Sequence, residues 1–288
     1  MHATSQAAGA PDTAKRTLRA ADLPPRSGLF AALCVLGFAN GSFGRILGMV
    51  DAYGVGPALL RTFDISAVVW LAFLACPGLL LRSPGRAPDR ADLAVAACAA
   101  AAFLLPVGPA SWVALTGLGL YLVARPDGPS MRGAGWILLA IAGAMFWGRV
   151  LLMTATAPIL LADAVLIGWL TGSEQVGNTI RFVDGSGYVW IEAGCSSLAN
   201  VSLAVLCWTL FAQWRGVHGR RRNIGWCLAA CIGVVAINVS RISLMVLRPG
   251  QFELIHGPVG QSVAVWLTIG LVVALCAIGT RHGRLAPA

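Results

Sequence analysis

The sequence predicts an all-α polytopic membrane protein of about eight transmembrane helices, with a short extracytoplasmic β-hairpin before the sixth. Three observations predict it. The 288 residues are 57% hydrophobic and only 11% charged, with a mean hydropathy of +0.76, whereas a water-soluble domain carries about 25% charged residues. Apolar runs long enough to cross a bilayer recur along the chain. The arginines fall mostly in the short polar stretches between those runs.

The runs are approximately 29–50, 65–81, 91–107, 110–124, 133–153, 194–212, 225–247 and 260–279. A membrane helix needs about 17–25 apolar residues, and most of the runs meet that length. Pro106 and Gly108 interrupt what is otherwise one long stretch, so 91–124 reads as a tight helical hairpin. The tail 1–28, rich in Ala, Pro and charge, carries no periodic pattern and reads as disordered. The first run exceeds the 7–15-residue core of a signal peptide and reads as an uncleaved anchor. This divides the chain into a cytoplasmic tail (1–28), one integral membrane domain (29–280, with a polar insert at 171–192) and a second cytoplasmic tail (281–288).

Charge sets the orientation. Arg215, Arg220, Arg221 and Arg222 crowd one inter-run loop, which the positive-inside rule places in the cytoplasm. With alternating crossings, Arg82, Arg86, Arg90, Arg125, Arg132, the N-terminal basic residues and Arg281 with Arg284 all fall on that same side. Both termini are then cytoplasmic. The net charge of +9 is accounted for by these loops, and a nucleic-acid partner is not expected.

The same count puts 171–192 outside. Within it, Ile180-Arg181-Phe182-Val183 and Tyr188-Val189-Trp190-Ile191 flank Asp184-Gly185, a strong hairpin signal. The preceding stretch 155–170 holds Pro158 and Asp163 and reads as a helix lying at or dipping into the outer surface. Cys195 follows the insert directly and opens the sixth run at its outer end. There, unpaired helix-start amides and the positive dipole end favour a thiolate, the nucleophilic form. Seven other cysteines (Cys34, Cys76, Cys98, Cys207, Cys227, Cys231, Cys276) lie within apolar runs and read as small hydrophobes.

Arg241 lies near the outer end of the seventh run, in Asn238-Val239-Ser240-Arg241-Ile242, and an ionisable residue inside a span is a functional candidate. Arg45 and Arg149, near the outer ends of their own runs, make the same claim. His2, His218 and His282 fall on the cytoplasmic side, which leaves His256 as the histidine on the side of Cys195. A cysteine, an arginine and a histidine at one membrane face supply a nucleophile, an anion stabiliser and a base, the requirements of acyl transfer at a peptide bond. Clustered metal ligands are absent from the sequence, and no cofactor is expected. The rival reading is a non-enzymatic transporter or assembly subunit of an export system, although no internal repeat of the transporter kind is visible.

The segment Glu192-Ala193-Gly194-Cys195-Ser196-Ser197-Leu198, the later Asn238-Val239-Ser240-Arg241-Ile242, and His256 with Gly257 and Gly260 resemble the exosortase/archaeosortase family. Its members are multi-spanning membrane cysteine enzymes that act as protein-sorting transpeptidases. The likeness spans the region from about Asn178 to Leu271. Two positions depart from the family pattern, Gly194 before the cysteine and Ser197 in place of a glycine, and Glu192 has no assigned role. The resemblance implies Cys195 as nucleophile, Arg241 as oxyanion stabiliser and His256 as acid/base. It also implies a location in the inner membrane, and exported protein substrates that end in a short motif, one span and a basic tail.

Overall fold

The computed structural model describes residues 24–217 and 220–281, with the side chains of 220–223 left aside. Most of the tail 1–28, the side chains of Arg220, Arg221 and Arg222, and the C-terminal tail 282–288 lie outside the described residues. Twelve helices follow one another: α1 (Arg26–Tyr53), α2 (Val55–Leu60), α3 (Ala67–Leu81), α4 (Arg90–Leu104), α5 (Gly108–Ala124), α6 (Pro129–Ala142), α7 (Gly148–Thr154), α8 (Thr156–Thr171), α9 (Ser197–Arg215), α10 (Arg220–Leu247), α11 (Phe252–His256) and α12 (Pro258–Arg281). A π-helical turn at Gly143–Trp147 joins α6 to α7, so that Pro129–Thr154 forms one continuous rod.

Each of the eight apolar runs lies largely within a helix, but among the described residues five helices are long and apolar enough to cross a membrane: Arg26–Tyr53, Pro129–Thr154, Ala193–Arg215, Ile224–Leu247 and Pro258–Arg281. The shortfall has local causes. α3 and α4 have 15 residues each and α5 has 17. Ser66 caps α3 by accepting from the Val68 amide, and a reciprocal capping box of Asp89 and Asp92 starts α4. Caps thus set where α3 and α4 start, and α4 stops short of its run because Leu105, directly before Pro106, is extended. α1 begins at Arg26, three residues before the apolar run.

The N-terminal half packs as a bundle, in which α1, α3, α6 and α5 close a ring around one core. Phe30, Cys34 and Phe38 of α1, Val69, Ala72 and Cys76 of α3, Leu115 and Leu118 of α5, and Met131, Ile137 and Ile141 of α6 share a buried core. α5 and α6 meet through glycines. A Cβ on Gly135 would lie 2.9 Å from the Gly119 carbonyl, so only glycine lets the two backbones come this close. A second core joins Ala204, Cys207 and Trp208 of α9 to Ala230 and Val234 of α10 and to Val272 and Cys276 of α12.

One end of the bundle is closed by charge. Arg26 is fully buried and donates to Asp92 (2.7 Å), Asp127 (2.8 Å) and the Arg125 carbonyl (2.7 Å), while the Tyr121 hydroxyl donates to Asp92. These contacts tie α1 to α4, to α5 and to the α5–α6 loop. Desolvated charges are tolerable only when each finds partners, and here each does. Arg26→Met is expected to take the buried cation away from Asp92, leaving it the Tyr121 hydroxyl, the Asp89 amide and the half-exposed Arg86, and to cost about 3–5 kcal/mol. Unfolding of the purified protein in detergent measures this, and the double variant Arg26→Met/Asp92→Asn should recover part of the loss.

Candidate functional site

After α8, Gly172 turns the chain in the left-handed region and three short strands follow: β1 (Gln175–Val176), β2 (Thr179–Arg181) and β3 (Tyr188–Trp190), antiparallel in the order β1-β2-β3. In the β2–β3 connection, Asp184 Oδ1 accepts from the Ser186 amide (2.9 Å) and hydroxyl (2.6 Å). These bonds hold the Asp184 carboxyl below the usual carboxylate range. Ile180, Val189 and Ile191 pack with Leu160, Ala164 and Ile167 of α8 and with Val239, Ile242 and Val246 of α10. α8 therefore runs beside the C-terminal part of α10, at the end of the bundle opposite Arg26.

The chain leaves β3 through a 3-10 turn, Ala193–Cys195, and α9 starts at Ser197. Three bonds build this start. The Ser196 hydroxyl accepts from the Leu198 amide (3.3 Å) as N-cap. The Ser197 amide donates to Asp163 Oδ2 (3.2 Å), and the Ser197 hydroxyl donates to Asp163 Oδ1 (3.1 Å). From α10, Asn238 Nδ2 donates to the Cys195 carbonyl (2.7 Å) and to Ser197 Oγ (3.1 Å). Asp163, Ser196, Ser197 and Asn238 are all buried. Every member of the network is paired, which is the condition for keeping polar groups in an apolar site.

This corrects one expectation. Cys195 sits in the turn before the N-cap, and the first amides of α9 that it was expected to face are occupied by Ser196 and by the Asp163 carboxylate. The network grips the Cys195 backbone and leaves its half-buried thiol unbonded among the described residues. Glu192 is exposed and makes no ion pair among the described residues.

Arg241 is three residues beyond Asn238, about 4.5 Å along the same helix at 1.5 Å per residue, and on the same face. Its Nε donates to the Ile255 carbonyl (3.2 Å) and its Nη2 to the His256 carbonyl (3.1 Å). The guanidinium thus clamps α11 to α10. His256 is exposed, and its ring stacks on Phe252 at 5.2 Å and 12°. Phe252 in turn meets Phe182, beside the strands. At Gly260 a Cβ would overlap the Ile255 carbonyl, so glycine is required where α12 passes the group that receives Arg241. A cavity of about 410 Å³ opens between α9, α10 and α12, lined by Gly194, Asn200, Asn238, Arg241, Gln261 and Thr268 among others.

The sequence-predicted residues thus gather at one end of the bundle through backbone contacts: Cys195 through Asn238, and His256 through Arg241. No hydrogen bond joins the Cys195 thiol, the Arg241 guanidinium and the His256 ring among the described residues. Arg45 and Arg149 line a different cavity with Trp112. Two contributors were not singled out from the sequence. Asp163 had one signal, a lone carboxylate in an apolar run. Ser197, read as a departure from the family pattern, is the hydroxyl that bridges α8 to α10. Among the described residues, no group of three or more His, Cys, Asp or Glu side chains is placed to hold a metal ion.

No protein-family model, curated protein sequence or solved structure matches this chain.

Asp163→Ala is expected to strand the buried Ser197 amide, at a cost of about 1–3 kcal/mol. It should also free the 193–197 turn, so that Cys195 is alkylated faster by a water-soluble maleimide. An unchanged alkylation rate would show that Asp163 does not hold the turn. Gly260→Ala is expected to displace the Ile255 carbonyl and lower the unfolding temperature, because a backbone group cannot swing aside.

Proposed function

We propose that this protein is a membrane-embedded cysteine protease or transpeptidase that cleaves the C-terminal sorting signal of exported proteins. The observation that carries the reading is the gathering at one end of the helix bundle. There the Cys195 turn is locked to Asn238, while Arg241, on the same helix face, is locked to the segment that bears His256.

The chemistry follows from those positions. His256 takes up the Cys195 thiol proton, Sγ attacks the substrate carbonyl carbon, and charge develops on the carbonyl oxygen. Arg241 has spent Nε and one Nη2 bond on backbone carbonyls, so its Nη1 group keeps both N–H donors for that oxyanion. A guanidinium fixed by two bonds needs little reorganisation as charge appears, which is how preorganised donors lower a barrier. His256, exposed at the rim, supplies the proton on which the amine departs. The carbon–nitrogen bond breaks and a thioester to Cys195 remains. An incoming amine or water attacks the thioester and releases the thiol.

In this reading the chain crosses the inner membrane eight times, with α3, α4 and α5 completing the five longer spans. The Arg-rich loops and both termini lie in the cytoplasm. The strands β1–β3 and the site face the extracytoplasmic side. The substrate presents a short motif at that face, followed by one span and a basic tail.

Cys195→Ala and Cys195→Ser are expected to abolish processing of a tagged exported substrate while leaving the protein inserted. Arg241→Lys should also fail, since an ammonium cannot hold two carbonyls and an oxyanion in one plane. Cys227→Ser and Cys231→Ser, in packing positions, should process normally. The readout is substrate mobility in cells carrying each variant, and normal processing by Cys195→Ala ends the proposal. Topology is tested separately: impermeant thiol reagents should reach a cysteine placed at Ser186 from the outside, and labelling only from the cytoplasmic side would invert the assignment.

A further inference from the structure

A second cavity, of about 560 Å³, lies away from the Cys195 cluster, between α1, the start of α5 and the α6–α7 rod. Asn40, Ser42, Arg45, Trp112, Phe146 and Arg149 line it. Three of its polar side chains, Arg45, Arg149 and Ser42, are under-partnered among the described residues. Arg45 Nη1 donates to the Asp64 carbonyl (3.1 Å), and Arg45 has no other hydrogen bond and no ion pair among the described residues. Arg149 has neither. The two guanidiniums line the same cavity, and no carboxylate lies within ion-pair distance of either among the described residues. Ser42 is 1% exposed, and its hydroxyl has no hydrogen-bond partner. By contrast, Asn40 Nδ2 is bonded to Ser111 and Trp112 Nε1 to the Gly41 carbonyl.

A half-buried and an exposed cation thus share one cavity with a buried hydroxyl that lacks a partner, donors that an anion entering the cavity would satisfy. The chain approaching this cavity is itself constrained. Thr62, Phe63 and Asp64 all have positive φ (52°, 56° and 56°), a backbone state disfavoured for residues with side chains. The turn is held by Trp70 Nε1 on the Thr62 carbonyl and by Arg45 on the Asp64 carbonyl. Arg45 is thereby fixed in direction with part of its donor fork unused. Planar guanidinium pairs match phosphate oxygens with short, charge-assisted bonds.

We propose that Arg45 and Arg149, with the Ser42 hydroxyl, form a binding site for a phosphate oxyanion, distinct from the Cys195 site. Exposed Phe43 and Leu47 on the same stretch of α1 suit the acyl chains of a phospholipid whose headgroup enters the cavity, while a free phosphate offers the same oxygens. The inference does not depend on the peptidase reading.

The test is ligand-dependent thermal unfolding of the full-length protein in an uncharged detergent. Phosphatidylglycerol, diacylglycerol (which lacks the phosphate) and inorganic phosphate are each titrated. A saturable rise in unfolding temperature with phosphatidylglycerol but not with diacylglycerol or inorganic phosphate assigns a lipid headgroup. The same rise with inorganic phosphate alone assigns a soluble anion. In either case Arg45→Gln/Arg149→Gln should raise the half-saturating concentration about tenfold or more, the loss expected when charge-assisted bonds are removed. Arg61→Gln, an exposed arginine stacked on Tyr53, should leave it unchanged. If the double variant does not fold, Arg149→Gln alone, which removes no hydrogen bond or ion pair among the described residues, must weaken binding. No saturable rise with either phosphate ligand, or a rise that survives loss of the arginines, overturns the proposal.

Discussion

A carboxylate held among apolar side chains beside the first residue of a helix is costly unless each of its oxygens finds a donor. Asp163 meets that condition with the amide and hydroxyl of one residue, Ser197. Because Ser197 also accepts from Asn238, and Asn238 also grips the Cys195 carbonyl, three elements share one small polar cluster. α8 is thereby fixed to the start of α9, and α9 to α10. The position of the Cys195 turn follows from that lock and not from any contact of its thiol. The strands and the C-terminal part of α10 then close an apolar jacket around it, which keeps water from competing for these bonds.

The two ends of the bundle solve the problem of buried charge in different ways. At the end of Arg26, opposite charges neutralise one another, and the arginine reaches the start of α4 and the α5–α6 loop, two separate parts of the chain. At the other end, Arg241 is satisfied only by backbone carbonyls, and Arg45 and Arg149 lack carboxylate partners among the described residues. Cations left with spare donors at one end of a helix bundle are poised to receive anionic or electron-rich groups from outside. This asymmetry, more than any single residue, marks one end as the working face.

Much of the helical layout was legible in the sequence because lipid and a buried helix impose the same demand on composition. A long apolar stretch has little alternative to a helix when its backbone groups must pair within the segment. The ends of the helices were less legible. Nothing near Arg26 signals that it will be buried against Asp92 and Asp127, which lie 66 and 101 residues away. Nor does the apolar run at 194–212 reveal that Ser196 and Asp163 delay the helix start to Ser197. The candidate site was legible residue by residue, through its odd polar groups in greasy surroundings, but its wiring was not. That Arg241 would spend two donors on the carbonyls of Ile255 and His256 depends on how α11 folds back, and Gly260 shows its purpose only once the backbone it must clear is in place.

In the proposed reaction Cys195 carries the acyl group. The most direct measurement is mass analysis of the peptide containing Cys195, taken from the full-length protein isolated from acid-quenched cells in which an exported substrate is being processed. A substrate-derived adduct on Cys195 that hydroxylamine removes, as it does a thioester, is expected. Substrate processing with Cys195 free of any adduct, or with the adduct on another of the eight cysteines, would contradict it.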